Sequence, residues 1–175
     1  MVATGHGLTR ITECRWLHMP YSIVDAIVRD DPLDLLAAGG RRIDDEVRIE
    51  LTAHMPGTGL AVAAEAAFRV GEAEEHPGPI PSVRVPLAWR ATHGQHVFPE
   101  MEAYFEAFPT TPTDTELAIV GEYTPPLGVL GAVVDHALMH RVASEAVAEL
   151  LEAIAGEIKH RRRTHAFDEV LGSDG

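Results

Sequence analysis

Cysteine is almost absent, with Cys14 the single one in 175 residues. One thiol forms no internal disulfide, so the fold rests on noncovalent packing, and the expected state of Cys14 is a buried or half-buried free thiol in a reducing compartment. Basic residues are scarce as well. Fourteen Lys and Arg stand against 27 Asp and Glu, a formal charge of −13, which repels phosphate backbones and anionic headgroups. Neither nucleic acid nor a membrane surface is an expected partner. No apolar run reaches the ~18 residues of a membrane span, and residues 1–10 lack the apolar core of a secretory signal, so the expected location is the cytoplasm. HExxH and other metal motifs are missing, and neither metal nor cofactor is expected.

What is present is a folding chain. Hydrophobic residues make up 46% and charged residues 23%, well outside the disordered regime, and a domain of this length buries about 70% of its unfolded surface. One domain over residues 1–160 is expected, with 161–175 as a flexible tail that starts basic at Arg161, Arg162 and Arg163.

Strand-like alternation opens with Leu8, Ile11, Cys14 and Trp16 and ends at Met19 and Pro20. Residues 21–36 then carry Ile23, Val24, Ile27, Val28, Leu33, Leu35 and Leu36 at helical spacing. Pro32 divides this stretch into two short helices, Asp30 and Asp31 cap the second, and Gly39 and Gly40 close it. Period-two alternation follows in Val47, Ile49, Leu51 and Ala53, returns in Val83, Val85, Leu87 and Trp89, then in Met101, Ala103, Phe105 and Ala107, and lastly in Leu117, Ile119, Gly121 and Tyr123. Turn-rich segments between the runs imply an antiparallel meander. Residues 60–75 are ambiguous: their Ala and Glu content favours helix, yet Val62, Ala64, Ala66, Phe68 and Val70 also fit one face of a strand. After Pro125 and Pro126, residues 127–160 have helical spacing and no proline, which predicts a helix of roughly thirty residues.

One strand, two short helices, five more strands and a long terminal helix, in that order, resemble the helix-grip fold of the START-related (SRPBCC) superfamily, which includes lipid-transfer domains, Bet v 1-like plant allergens and polyketide cyclases. The resemblance is carried by His96, Val97, Phe98, Pro99, Glu100 and Met101, by residues 116–128 from Glu116 to Gly128, and by Asp135, His136, Leu138, His140, Arg141 and Val142. It points to an actinobacterial-type branch. The resemblance implies an α+β fold in which a curved antiparallel sheet of six to seven strands wraps around the long C-terminal helix, with two short helices after the first strand. It makes residues 60–70 a strand. It also implies an apolar pocket between sheet and helix, but no catalytic residue set carries across.

By alternation, the concave face of that sheet collects uncharged side chains. The candidate pocket comprises Val85, Leu87, Trp89, Met101, Phe105, Leu117, Ile119 and Tyr123 from the strands, with Val134 and Leu138 from the helix. Small residues at Ala64, Ala66, Ala103 and Gly121 either leave a void or are filled by larger neighbours. The carboxylates Glu100, Glu102 and Glu106 fall on the opposite face, across from Arg84 and Arg90, although a one-residue slip would swing Glu102 and Tyr104 inward. His136 and His140 stand at i and i+4 without a third ligand, so they count as candidates for acid–base chemistry with Tyr123 rather than for metal. His93 and His96 read as solvated loop residues.

Three functions fit. The first is binding or carriage of a small hydrophobic molecule such as a lipid, isoprenoid, polyketide or aromatic metabolite. The second is a cyclase/dehydratase-like enzyme using Tyr123 with His136 or His140. A third is a homodimeric interaction domain, with Ala118 and Val120 marking a seam on the outer face.

Overall fold

A computed structural model of the chain describes residues 8–44, 46–54, 61–92, 100–123 and 136–172. In chain order the elements are β1 (Thr9–Leu17), α1 (Tyr21–Asp30), α2 (Pro32–Ala37), β2 (Arg41–Ile43), β3 (Glu46–His54), β4 (Ala61–Val70), β5 (Glu74–His76), β6 (Ser82–Ala91), β7 (Met101–Pro109), β8 (Thr115–Tyr123) and α3 (His136–Gly172). The eight strands form one antiparallel sheet in the order β1-β8-β7-β6-β4-β3-β2, with β5 also pairing β6. A meander therefore runs from β2 to β8. The first strand returns to pair with the last.

Local chemistry explains the breaks. Asp31 lies extended between the two helices, and its carboxylate accepts the Asp34 amide at 2.8 Å, capping α2 with Pro32 in the first turn. Beyond α2 the Gly40 amide donates to the Ala37 carbonyl at 2.8 Å. Residues 61–70 are strand despite their helix-forming composition, because ladders to β3 on one side and β6 on the other satisfy both edges. β4 and β5 are one strand interrupted by a bulge. Val70 pairs Leu87 and Glu74 pairs Arg84, so residues 71–73 face only 85–86. Opposite the bulge, the Pro86 carbonyl accepts the Gly71 amide at 2.8 Å, and the N–H that proline lacks falls on that same side. A bulge bends its strand, which helps the sheet curl over the helix.

Two features depart from the expectations. The three-residue strands β2 and β5 were not expected and raise the count from six or seven to eight. The helix α3 extends through residues 161–172, beyond the residue 160 at which the sequence pattern placed its end, and no proline interrupts them. Lys159 to Arg163 thus lies within the helix, and Arg161 reaches Asp34 of α2 at 2.7 Å and Glu157 at 2.9 Å. Residues 124–135, where the helix was expected to begin, lie outside the described residues. So do His93, His96 and most of the segment 96–101 that carried the resemblance.

The core forms between one face of the sheet and one stripe of α3. Ala143, Ala146, Val147, Leu150, Leu151, Ile154, Ala155 and Ile158 are buried, the three- and four-residue spacing of a helix face. Against them lie Ile11, Val47, Phe68, Val83, Val85, Phe105, Leu117 and Ile119, all buried. Packing is tight at the one glycine of this wall. A Cβ on Gly121 would come within 2.8 Å of Ala103 Cβ and 2.9 Å of Met101 Cε, so the methionine lies over the space the glycine leaves, and the small residue opens no void there. Gly121→Val should therefore destabilise the fold by about 1–3 kcal/mol in urea unfolding, and an unchanged midpoint would show that the wall is not packed at this point.

Candidate functional site

Antiparallel pairing puts directly opposed residues on the same face, so the register shows which side chains share a row. Thr9 faces Tyr123, Tyr123 faces Met101, Met101 faces Trp89, Trp89 faces Phe68, and Phe68 faces Val47. This row crosses six strands on the side covered by α3. Tyr123, Met101, Trp89, Phe68 and Val47 are all buried, and the Phe68 and Trp89 rings meet at 5.0 Å between centroids, tilted by 51°, a favourable aromatic contact. The row ends on β2 at Arg42, which is exposed and turned toward Asp31 at 3.8 Å.

Tyr123 is the exceptional member. Its side chain is 0% exposed, and among the described residues its hydroxyl has no well-aligned hydrogen bond, only the Thr9 hydroxyl directly across on β1 lying near enough to interact with it. Burial pushes its phenol above the ordinary tyrosine value, with the Thr9 hydroxyl on the neighbouring strand pulling weakly the other way. At neutral pH it is a proton donor held in an apolar wall.

Every strand residue assigned to the pocket is buried: Val85, Leu87, Trp89, Met101, Phe105, Leu117, Ile119 and Tyr123. Val134 lies outside the described residues, and Leu138 and His136 are placed only as positions in the first turn of α3. His140 is exposed. Among the described residues no group of three or more His, Cys, Asp or Glu could hold a metal ion.

β1 adds two charges to the helix-facing side that the strand pattern did not foresee. Glu13 faces Ile119 and Arg15 faces Leu117; Glu13 is half-buried, and Arg15 is exposed and paired with Glu152 on α3. An edge strand tolerates them because its side chains reach solvent past the helix flank.

On the outer face Glu102 is exposed and Tyr104 half-buried, which settles their direction. Arg84 pairs with Glu106 at 3.0 Å and stacks over the Tyr104 ring at 4.5 Å. Arg90, expected opposite the β7 carboxylates, instead reaches Glu46 on β3 at 3.2 Å. The register opposes Ala88, not an arginine, to Glu102, while Arg90 sits opposite the small Ala67, over which it can extend. Two shallow grooves of about 370 and 360 Å³ mark this face, the first lined by Ala67, Ala88, Arg69, Arg90 and Glu102 and bordered by Trp89 and Met101. Ala118, expected on an open seam, is only 4% exposed, because the longer Cys14 and Glu106 flank its methyl on both sides.

Across these observations the architecture matches known structures. A crystal structure of TTHA0849 from Thermus thermophilus shares 14% identity, covers 87% of this chain and 99% of its own, and superposes with a TM-score of 0.50. The chain has the helix-grip fold, an antiparallel sheet wrapped around a long C-terminal helix. Other matches include a START superfamily protein from Mycobacterium smegmatis (14% identity, 88% of this chain and 99% of that one, TM-score 0.48) and the Zhui aromatase/cyclase from Streptomyces sp. R1128 (14%, 89% and 96%, 0.47). At such identity the likeness concerns fold alone. No protein-family model matches the sequence, and no curated protein sequence is significantly similar to it.

Cys14, expected to be buried or half-buried, is exposed on the outer face of β1. Its thiol is nevertheless pushed up to about 11, first by partial desolvation and then by a hydrogen bond to, and repulsion from, Glu116. A shift of about two pKa units leaves about a hundredfold less thiolate at pH 8. Cys14 should accordingly react with a disulfide reagent about a hundredfold more slowly than a free cysteine at pH 8, speeding up as pH climbs toward 11, and Glu116→Gln should accelerate it several-fold. Reaction at the free-cysteine rate would contradict the assignment.

Proposed function

We propose that this chain binds and carries a small hydrophobic molecule, a lipid, isoprenoid, polyketide or aromatic metabolite, in an apolar pocket between the inner face of the sheet and α3. The observation that carries this reading is the pairing of an uncharged row, continuous from Thr9 to Val47 across six strands, with a buried tyrosine hydroxyl that, among the described residues, has only the Thr9 side chain near it and no well-aligned hydrogen bond. Leaving such a hydroxyl unpaired costs about 1–3 kcal/mol. In a core whose only task is stability, phenylalanine would serve better at that position; an oxygen on a bound molecule gives the hydroxyl its purpose. Trp89, Met101, Phe105, Leu87 and Ile119 would supply the hydrocarbon contact.

The enzyme reading finds less support. Acid–base chemistry needs a titratable group aimed at the substrate, whereas Glu102 and His140 are exposed and Glu106 is engaged with Arg84 and Ser82 on the outer face.

Protein purified from a cell extract should show a retained mass by native mass spectrometry. After extraction of that molecule, members of a panel of fatty acids and aromatic compounds should raise the melting temperature, since a ligand at a hundredfold its Kd adds about 2.7 kcal/mol. Absence of any retained mass together with a melting temperature that no compound moves would remove the proposal.

A further inference from the structure

We infer that the outer edge of β1 is an interface at which two copies of this chain pair, strand against strand about a two-fold axis, with Glu13 of each opposite the partner's Arg15. β1 stands at one end of the strand order. It pairs β8 at each position from Thr9 to Leu17 without a bulge, and it holds no proline, glycine or lysine. Sheet edges are ordinarily blunted against further pairing by shortness, bulges, proline or charge. The opposite edge is blunted in this way, since β2 has three residues and begins with the exposed Arg41 and Arg42. β1 is long and regular instead. Thr12, Cys14, Arg15 and Trp16 along it are all exposed, Trp16 at 65%, which leaves a large apolar side chain in water.

Self-complementarity identifies the occupant. A two-fold axis perpendicular to the sheet sets residues of the same face opposite one another, so each register is centred on one residue. Centred on Glu13, the two carboxylates meet directly, and centred on Arg15 the two guanidinium groups do, both of them destabilising arrangements. Centred on Thr12, Glu13 falls opposite the apolar Ile11. Only the register centred on Cys14 matches throughout: Glu13 faces the partner's Arg15, Ile11 faces the partner's Leu17, and Thr12 faces the partner's Trp16, each contact occurring on both sides of the axis. The partner's Arg10 then lies diagonal to Trp16, where its guanidinium can cover the indole. Arg15 already reaches Glu152 of its own α3, so in the pair it stands between that carboxylate and the partner's Glu13. The same charges turn other strands away, because an apolar strand laid on this edge leaves Glu13 and Arg15 without opposite charge. An interface of one strand per copy is small, and the association is correspondingly weak and reversible. It does not depend on what the pocket holds.

Sedimentation equilibrium should show monomer passing to dimer with a dissociation constant on the order of 10–100 µM. Glu13→Arg and Arg15→Glu, each alone, put like charges opposite each other at both contacts and should raise that constant about tenfold or more. An equimolar mixture of the two variants restores opposite charges and should dimerise about as well as the parent. Trp16→Glu changes an exposed side chain and should weaken the dimer to a similar degree, with the melting temperature of the dilute protein unchanged. This variant carries the test if a charge variant fails to fold. The inference is overturned by a chain that stays monomeric at about 1 mM, or by a dimer that the variants leave intact. It is also overturned if Glu13→Arg dimerises better with the unaltered chain than with Arg15→Glu, since Glu13 would then face its own counterpart.

Discussion

The structure depends on register. Side chains in a strand alternate between faces, so the ladders joining β1, β8, β7, β6, β4 and β3 must agree for one face to be apolar from edge to edge. Across the inner strands they do: Thr9, Tyr123, Met101, Trp89, Phe68 and Val47 form one row, and Ile11, Gly121, Ala103, Leu87 and Val70 the next, while charges enter this face only at the edge strands, as Glu13 and Arg15 on β1 and Arg42 on β2. A slip of one residue in β7 alone would bring Glu102, Tyr104 and Glu106 under α3 and turn Met101 and Phe105 to water. Burying unpaired carboxylates costs far more than any new apolar packing could return, which is why the register is strongly specified. The same alternation puts the Arg84–Glu106 and Arg90–Glu46 pairs outside, where such pairs add little stability but keep the outer face soluble.

Curvature follows from local interruptions in that ladder. The bulge at residues 71–73, opposite Pro86, lets β4 and β5 act as one bent strand against β6. The sheet wraps far enough for α3 to touch both β1 and β3, strands near its opposite edges, and α3 is tied to β1 by Arg15–Glu152 and to α2 by Arg161–Asp34. Such an arrangement places a helix stripe over an apolar concavity, in which Tyr123, with Thr9 beside it, is the polar feature of the row that runs across the sheet.

Much of this was legible in the residues themselves. Period-two runs located four of the five long strands after the helices, and the Asp31–Pro32 pair located the helix break, because alternation and capping are local properties. Residues 60–70 were not decidable locally, since alanine and glutamate favour helix and only the ladders of β3 and β6 make a strand of them. The three-residue β2 and β5 carry too few positions to alternate visibly. Cys14 was misplaced because Leu8, Ile11, Cys14 and Trp16 do not share a strand face: Ile11 points inward, whereas Cys14 and Trp16 are exposed. Arg90 was matched to the wrong carboxylate because ion pairing across strands depends on register and on the small Ala67 between. That Tyr123 is buried could be read from alternation; that its hydroxyl faces Thr9 without a well-aligned hydrogen bond could not, since hydrogen-bond geometry is a property of three-dimensional surroundings.

Crystals pressurised with xenon would examine the enclosed space directly, because xenon occupies apolar cavities and avoids close-packed or solvated regions. A xenon site between α3 and the side chains of Met101, Trp89 and Tyr123 is the expected result. An interior filled in that region by protein side chains, with no xenon and with the Tyr123 hydroxyl bonded to a protein group, would contradict the account.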